Sequence, residues 1–155
     1  MPTKTYQLTV NGSSKEIEFS TGATLLELLR DGFGFMGTKE GCGKGDCGAC
    51  TVLLDNMPIL SCIYPAEKAI NKKVTTIEGL GTAEKLHPVQ KAFVDYGAVQ
   101  CGFCTPGMVM AAVGLLYNNP NPSEDEIKES ISGNICRCTG YKKIIEAIKM
   151  ASESK

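Results

Sequence analysis

Apolar and polar residues alternate through the first half of the chain. Tyr6, Leu8 and Val10 share one strand face, and Ile17 and Phe19 continue on the next strand. Asn11-Gly12 between them is a strong signal for a tight hairpin. Thr24-x-x-Glu27 forms a capping box ahead of Leu25, Leu26, Leu28 and Leu29, which predicts a short amphipathic helix. Thr51–Leu54, the turn Asp55-Asn56 and Ile59–Ile63 predict a second hairpin, and Val74–Ile77 a last strand. Two hairpins with a helix packed on a mixed sheet make a small α+β domain.

The pattern changes at Gly79-Leu80-Gly81, which divides the chain into domains at 1–78 and 82–155. Beyond the break it is helical throughout, with helices predicted at about 88–97, 106–118, 124–132 and 141–152. Pro88, Pro106 and Ser123 mark three of the starts, and Ser123-x-x-Glu126 is another capping box. Cys104-Thr105-Pro106 and Cys138-Thr139-Gly140 both place Cys-Thr just ahead of a helix. Free N–H groups and the positive dipole end at a helix start favour an anionic group there.

Composition narrows the function classes. At 155 residues with 43% hydrophobic content, the chain reads as soluble and globular. A net charge of −1 gives no electrostatic reason for a nucleic-acid partner. The opening MPTKTYQLTV lacks the apolar core of a signal peptide, and the most apolar stretch, Gly107–Tyr117, is too short to span a bilayer. The expected location is therefore cytoplasmic, away from membranes, where thiols stay reduced. Eight cysteines in that setting point to metal.

Those cysteines form two sets of four with none left over. Cys42-x4-Cys47-x2-Cys50, followed by Cys62, has the plant-type [2Fe–2S] spacing. Cys101-x2-Cys104, followed by Cys136-x-Cys138, is the second set. The loop from Gly41 to Cys50 holds four glycines in its ten residues, which lets the backbone wrap a cluster and turn N–H groups toward its sulfurs. Structural zinc is the competing reading. It fits the first set poorly, because zinc sites usually pair two short knuckles, and it competes better for the second. A disulfide framework is disfavoured by the tight Cys-x-Cys pair.

KEGCGKGDCGACTV, the later Cys62, VQCGFCTPGMVM and GNICRCTGY resemble the iron–sulfur subunit of the molybdenum hydroxylases. That family includes xanthine dehydrogenases, aldehyde oxidoreductases, carbon monoxide dehydrogenases and bacterial N-heterocycle hydroxylases. The resemblance runs from about Tyr6 to Ile148. It implies a β-grasp, plant-type ferredoxin-like N-terminal domain and a four-helix C-terminal domain, each with a [2Fe–2S] cluster. It further implies that Cys101, Cys104, Cys136 and Cys138 hold the cluster nearer a molybdenum–pterin cofactor, and Cys42, Cys47, Cys50 and Cys62 the one nearer FAD. Gln100 matches the glutamine that hydrogen-bonds the pterin, and Cys138 lies beside it. The segment Gly32–Gly37, GFGFMG, departs from the leucines and threonine more common in relatives, and leaves the ligands untouched.

The implied function is electron transfer within an oxidoreductase complex, with no substrate chemistry on this chain. Electrons released by oxidation of a purine, another N-heterocycle or an aldehyde would pass singly through both clusters to FAD. Molybdenum and FAD would sit on a large and a medium partner subunit, in a dimer of heterotrimers. A free-standing two-cluster ferredoxin is the alternative, and a zinc-stabilised interaction module a distant third. His87 reads as a turn or cap residue, Glu124, Asp125 and Glu126 as a charged first helical turn, and Lys142 and Lys143 as a solvated helix face.

Overall fold

The computed structural model describes residues 1–154; Lys155, the last residue of the expected second domain, lies outside the described residues. β1 (Thr3–Val10) and β2 (Ser13–Ser20) pair antiparallel with Tyr6 opposite Ile17. The turn between them has positive φ at both Asn11 and Gly12, the type I′ geometry that suits the twist of paired strands. β3 (Thr51–Leu54) and β4 (Met57–Leu60) form the second hairpin, with the same geometry at Asp55 and Asn56. β5 (Lys73–Thr75) completes a mixed sheet of order β2-β1-β5-β3-β4, in which only β1 and β5 run parallel.

The capping box at Thr24 and Glu27 forms as expected, but the helix behind it is a single turn, α1 (Leu25–Glu27). The chain then widens into a π-helical turn over Leu28–Gly32, where Phe33 N–H donates to Leu28 C=O at 2.9 Å. Arg30 fixes the exit by donating to the carbonyls of Met36 and Thr38, which aims the chain toward the first cysteine loop. In the GFGFMG segment, Phe33 and Phe35 pack against the N-terminal core while Met36 is exposed.

Two strands are shorter than the sequence predicts. β4 stops at Leu60 because Ser61 turns inward, its hydroxyl donating to Cys50 C=O at 2.7 Å. β5 stops at Thr75 because Thr76 N–H donates to Asn11 Oδ1 at 2.9 Å and Ile77–Gly79 winds into a 3-10 turn. In both places a side-chain bond to a distant element outbids the strand pattern.

One face of the sheet buries Tyr6, Leu8, Val10, Val52, Leu54 and Val74 against Leu25, Leu28 and Leu29. Each such side chain contributes roughly 1.5–3 kcal/mol by leaving water. Leu53 points the other way, into a second core built from α2 (Pro88–Asp95), α3 (Thr105–Asn118), α4 (Glu124–Ser130) and α5 (Lys142–Glu153). The apolar stretch from Gly107 onward is thus a buried helix. α3 lies on β3 and also meets α2 and α4, which accounts for its near-continuous burial from Gly107 to Gly114. Its two glycines sit where the cysteine loop and the sheet come close. A Cβ on Gly107 would fall 2.4 Å from Gly48 C=O, and one on Gly114 2.4 Å from the Pro58 ring.

Candidate metal centres

The loop from Gly41 to Cys50 curls around the Cys42 sulfur. Asp46, Cys47 and Lys44 aim their backbone N–H groups at it, at 3.2, 3.4 and 3.5 Å. Those donors, the Lys44 amide foremost, lower the Cys42 pKa from the ordinary 9.0 to about 6. Gly48 makes the tight exit possible. Its φ is +74°, and a Cβ there would meet Gly133 C=O at 2.4 Å.

Cys62 arrives from the turn after β4 and meets Cys50, both buried. Burial, then the neighbouring Cys50 thiol, pushes Cys62 up to about 12. The first set therefore consists of two contacting pairs. Cys42 and Cys47 are half-exposed, with backbone donors gathered on Cys42; Cys50 and Cys62 are sealed behind Leu26 and Leu60.

The second set has the same layout. Cys104 N-caps α3 and contacts Cys136, and burial pushes the Cys104 thiol up to about 12. Burial also opposes ionisation of Cys136. Hydrogen bonds from the Thr139 hydroxyl and from the amides of Cys138 and Thr139 outweigh it and leave that pKa lowered. Cys101 and Cys138 form the outer pair, both exposed, and their mutual hydrogen bond raises the Cys138 pKa. Gln100 is exposed beside Cys101, and Val99, Phe103 and Ile135, each within two residues of a cysteine of this set, are exposed apolar side chains.

The residues fit a two-iron cluster. All eight thiols are free of disulfides. Among the described residues no three His, Cys, Asp or Glu side chains close on one ion position. The thiols meet two by two instead, as a [2Fe–2S] centre requires, since its four thiolates are divided between two irons. The backbone donors offset the negative charge that such a centre brings.

The two sets are joined. Ile135 N–H donates to Cys47 C=O at 2.9 Å, so a residue adjoining Cys136 is bonded to the backbone of a cysteine in the other set. Asn134, buried, donates through Nδ2 to Gly48 C=O at 3.0 Å and Thr51 Oγ1 at 3.3 Å.

Comparison with known proteins agrees with this geometry. Residues 8–73 match the family described as 2Fe-2S iron-sulfur cluster binding domain, and residues 76–149 the family described as [2Fe-2S] binding domain. The nicotinate dehydrogenase small FeS subunit of Eubacterium barkeri is 44% identical, over 96% of this chain and 95% of its own length. The xanthine dehydrogenase iron-sulfur-binding subunit of Escherichia coli O157:H7 is 42% identical, over 99% and 97%. The chain belongs to the iron–sulfur small-subunit family of the molybdenum hydroxylases. The fold is shared as well. The crystal structure of the aldehyde oxidoreductase from Desulfovibrio desulfuricans superposes with a TM-score of 0.93 at 43% identity, covering 96% of this chain and 17% of that one.

Within this small subunit of an oxidoreductase, the remaining residues take the roles expected of them. His87 N-caps α2, accepting Val89 N–H at Nδ1 across 3.2 Å, and its burial lowers its pKa. Glu126 closes the capping box with Ser123, and Glu124 pairs with Lys128 at 2.7 Å. Lys142 and Lys143 are exposed. Sequence reasoning missed Asn134 and Tyr141, and read Thr139 only as part of a helix start, not as a donor to Cys136 Sγ. All three lie within or beside GNICRCTGY, but only its cysteines had a recognisable spacing.

Proposed function

We propose that this chain relays single electrons from a molybdenum–pterin centre through two [2Fe–2S] clusters to FAD. Cys101, Cys104, Cys136 and Cys138 hold the cluster nearer molybdenum, and Cys42, Cys47, Cys50 and Cys62 the one nearer FAD. When bound, each cluster supplies a one-electron carrier between centres that exchange electrons in pairs.

The residues of this chain do the rest. Backbone N–H groups of the 42–50 loop hold negative charge at the first set, while Leu26 and Leu60 keep water from its inner pair. The exposed pair Cys101 and Cys138, with the exposed apolar side chains Val99, Phe103 and Ile135 close by in sequence to cysteines of this set, marks the face that docks on the molybdenum-binding large subunit. Gln100, exposed beside Cys101, would supply a hydrogen bond to the pterin across the subunit boundary. A free-standing ferredoxin has no use for such exposed apolar side chains.

The single observation that carries the relay is the Ile135–Cys47 hydrogen bond, which ties the two cysteine loops directly together. The domains divide at Gly79-Leu80-Gly81 into 1–78 and 82–155. Largely separate cores support that division, although Leu53 and Ile77 of the first unit and Leu80 of the break pack on the helical core. The FAD-binding medium subunit completes a heterotrimer, and two of these make the full complex. Relatives named for nicotinate, xanthine and aldehyde chemistry stand at nearly equal identity, so the substrate is a purine, another N-heterocycle or an aldehyde, chosen by the large subunit. No helix among the described residues is long and apolar enough to cross a membrane, which accords with a cytoplasmic complex.

Gel filtration of natively purified protein tests the assembly. Co-elution with molybdenum- and flavin-containing subunits supports the relay, whereas a brown protein eluting alone supports the free-standing ferredoxin.

A further inference from the structure

Three hydrogen bonds knit the segment from Cys136 to Tyr141. The Thr139 hydroxyl donates to Cys136 Sγ at 3.0 Å. The Tyr141 amide donates to Thr139 Oγ1 at 3.3 Å. The Tyr141 phenol oxygen accepts Cys136 N–H at 2.9 Å. Tyr141 also has φ +72°, a left-handed conformation that is unusual for a bulky residue and is held only where the surroundings demand it.

The direction of these bonds matters. A hydroxyl has one proton. With the Tyr141 amide occupying a lone pair of Thr139 Oγ1, that proton is left to point at Cys136 Sγ. Cys136 N–H, meanwhile, is spent on the Tyr141 phenol and is withdrawn from the sulfurs. The first set is arranged differently, since the donors to Cys42 Sγ are main-chain amides and the neighbouring Cys47 thiol, with no hydroxyl among them. Among the described residues, Thr139 is the only side chain other than cysteine that donates a hydrogen bond to a cysteine sulfur.

We propose that Thr139, held in place by Tyr141, raises the reduction potential of the C-terminal cluster. This rests on the reading that Cys101, Cys104, Cys136 and Cys138 hold a [2Fe–2S] cluster. Reduction adds one negative charge to the cluster and its thiolates, and an O–H donated to a ligand sulfur stabilises the more negative state. Thr139 is a positioning and tuning residue that touches a ligand sulfur and no substrate. The C-terminal cluster is the first acceptor in the relay, so its potential sets how readily electrons leave the molybdenum side. Side-chain control at that step lets one substitution adjust the second cluster without disturbing the first.

The test is an EPR-monitored redox titration of the full chain in its native complex, with both signals followed in the same sample. Thr139→Val keeps the shape and removes the proton. It should shift the midpoint of the C-terminal signal to a more negative potential and leave the N-terminal midpoint in place. Thr139→Ser should return the C-terminal midpoint toward the wild-type value. If the valine variant fails to load its cluster, Thr139→Ala removes the same donor with less bulk and carries the same expectation. A merely structural role would lower the melting temperature or the iron content without moving the midpoint. Unchanged midpoints in loaded Thr139→Val or Thr139→Ala protein would overturn the proposal. A wild-type protein with only one cluster signal would instead overturn the cluster reading beneath it.

Discussion

Ile135 and Cys47 lie 88 residues apart in the chain, yet the Ile135 amide donates to the Cys47 carbonyl at 2.9 Å. The bond is supported on both sides. Asn134 holds Gly48 C=O and Thr51 Oγ1, and the absence of a side chain at Gly48 lets Gly133 C=O approach. The contact between the two cysteine loops is therefore a built joint, and weakening it should affect stability and electron passage together.

Gly48→Ala tests the joint by steric means. Alanine at φ +74° is strained, and its Cβ would stand 2.4 Å from Gly133 C=O. A loss of about 2 kcal/mol or more is expected from backbone strain at such a position. Chemical denaturation of the holo-protein measures it. A loss within about 0.5 kcal/mol, the range of an inert surface substitution, would mean that the loops do not pack as described.

Asn134→Leu tests the same joint by removing hydrogen bonds. It removes the two hydrogen bonds that Nδ2 donates to Gly48 C=O and Thr51 Oγ1, a cost of about 0.5–1.5 kcal/mol each, while Gly48 C=O keeps the Thr51 hydroxyl and amide as donors. If the joint also carries electrons, transfer between the clusters should slow in the surviving holo-protein. A variant as stable as wild type would show that the asparagine is a passenger.

The pH dependence of stability should carry a contribution from His87. Its Nδ1 accepts the Val89 amide, so protonation there breaks the cap, and burial holds the folded pKa below the ordinary 6.5. The unfolded chain therefore binds more protons than the folded one in this range, and stability rises with pH. The contribution is complete above the unfolded value of 6.5 and is lost as pH falls through the lower folded value. Melting temperatures between about pH 7.5 and about pH 5.5 should fall less in His87→Asn, which keeps an N-cap oxygen but does not titrate. Parallel curves for the two proteins would remove His87 from the account.

Much of this fold is legible in the sequence because its signals are local. Asn11-Gly12 and Asp55-Asn56 form their type I′ turns, and the boxes at Thr24–Glu27 and Ser123–Glu126 both close. These features depend on residues within a few positions of each other. The misses depend on distant partners. β4 and β5 end early because Ser61 and Thr76 bond to Cys50 and Asn11, which no window around either strand contains. The apolar stretch of α3 is visible, but its seat on β3 depends on Gly107 and Gly114 meeting Gly48 and Pro58. At the site, cysteine spacing reveals two sets of four. It says nothing of Asn134 or of Tyr141, whose left-handed backbone no glycine announces.

Cluster ligation should hold each half together. A unit of about seventy residues has a marginal core, and the 42–50 loop has little strand or helix propensity of its own. Removing iron with a chelator should lower the melting temperature substantially. Apo-protein as stable as holo-protein would contradict this.

Gln100→Ala tests the docking face. Iron content and both cluster spectra should stay intact, because Gln100 is exposed and adjoins the cysteines without touching the fold's core. A hydrogen bond worth on the order of 1 kcal/mol net should be lost at the subunit boundary, weakening assembly or slowing reduction of the nearer cluster. Unchanged assembly together with an unchanged rate would make Gln100 a solvated turn residue.

The relay itself is tested most directly by rapid-freeze EPR of the assembled complex after mixing with substrate. In wild type the C-terminal signal should appear before the N-terminal one. Cys104→Ser should perturb the C-terminal signal and Cys47→Ser the N-terminal one. In a Cys104→Ser complex that has lost its C-terminal cluster, substrate should no longer reduce the N-terminal cluster at the wild-type rate, although dithionite still does. Reduction of the N-terminal cluster by substrate at an unchanged rate in that complex would contradict the relay.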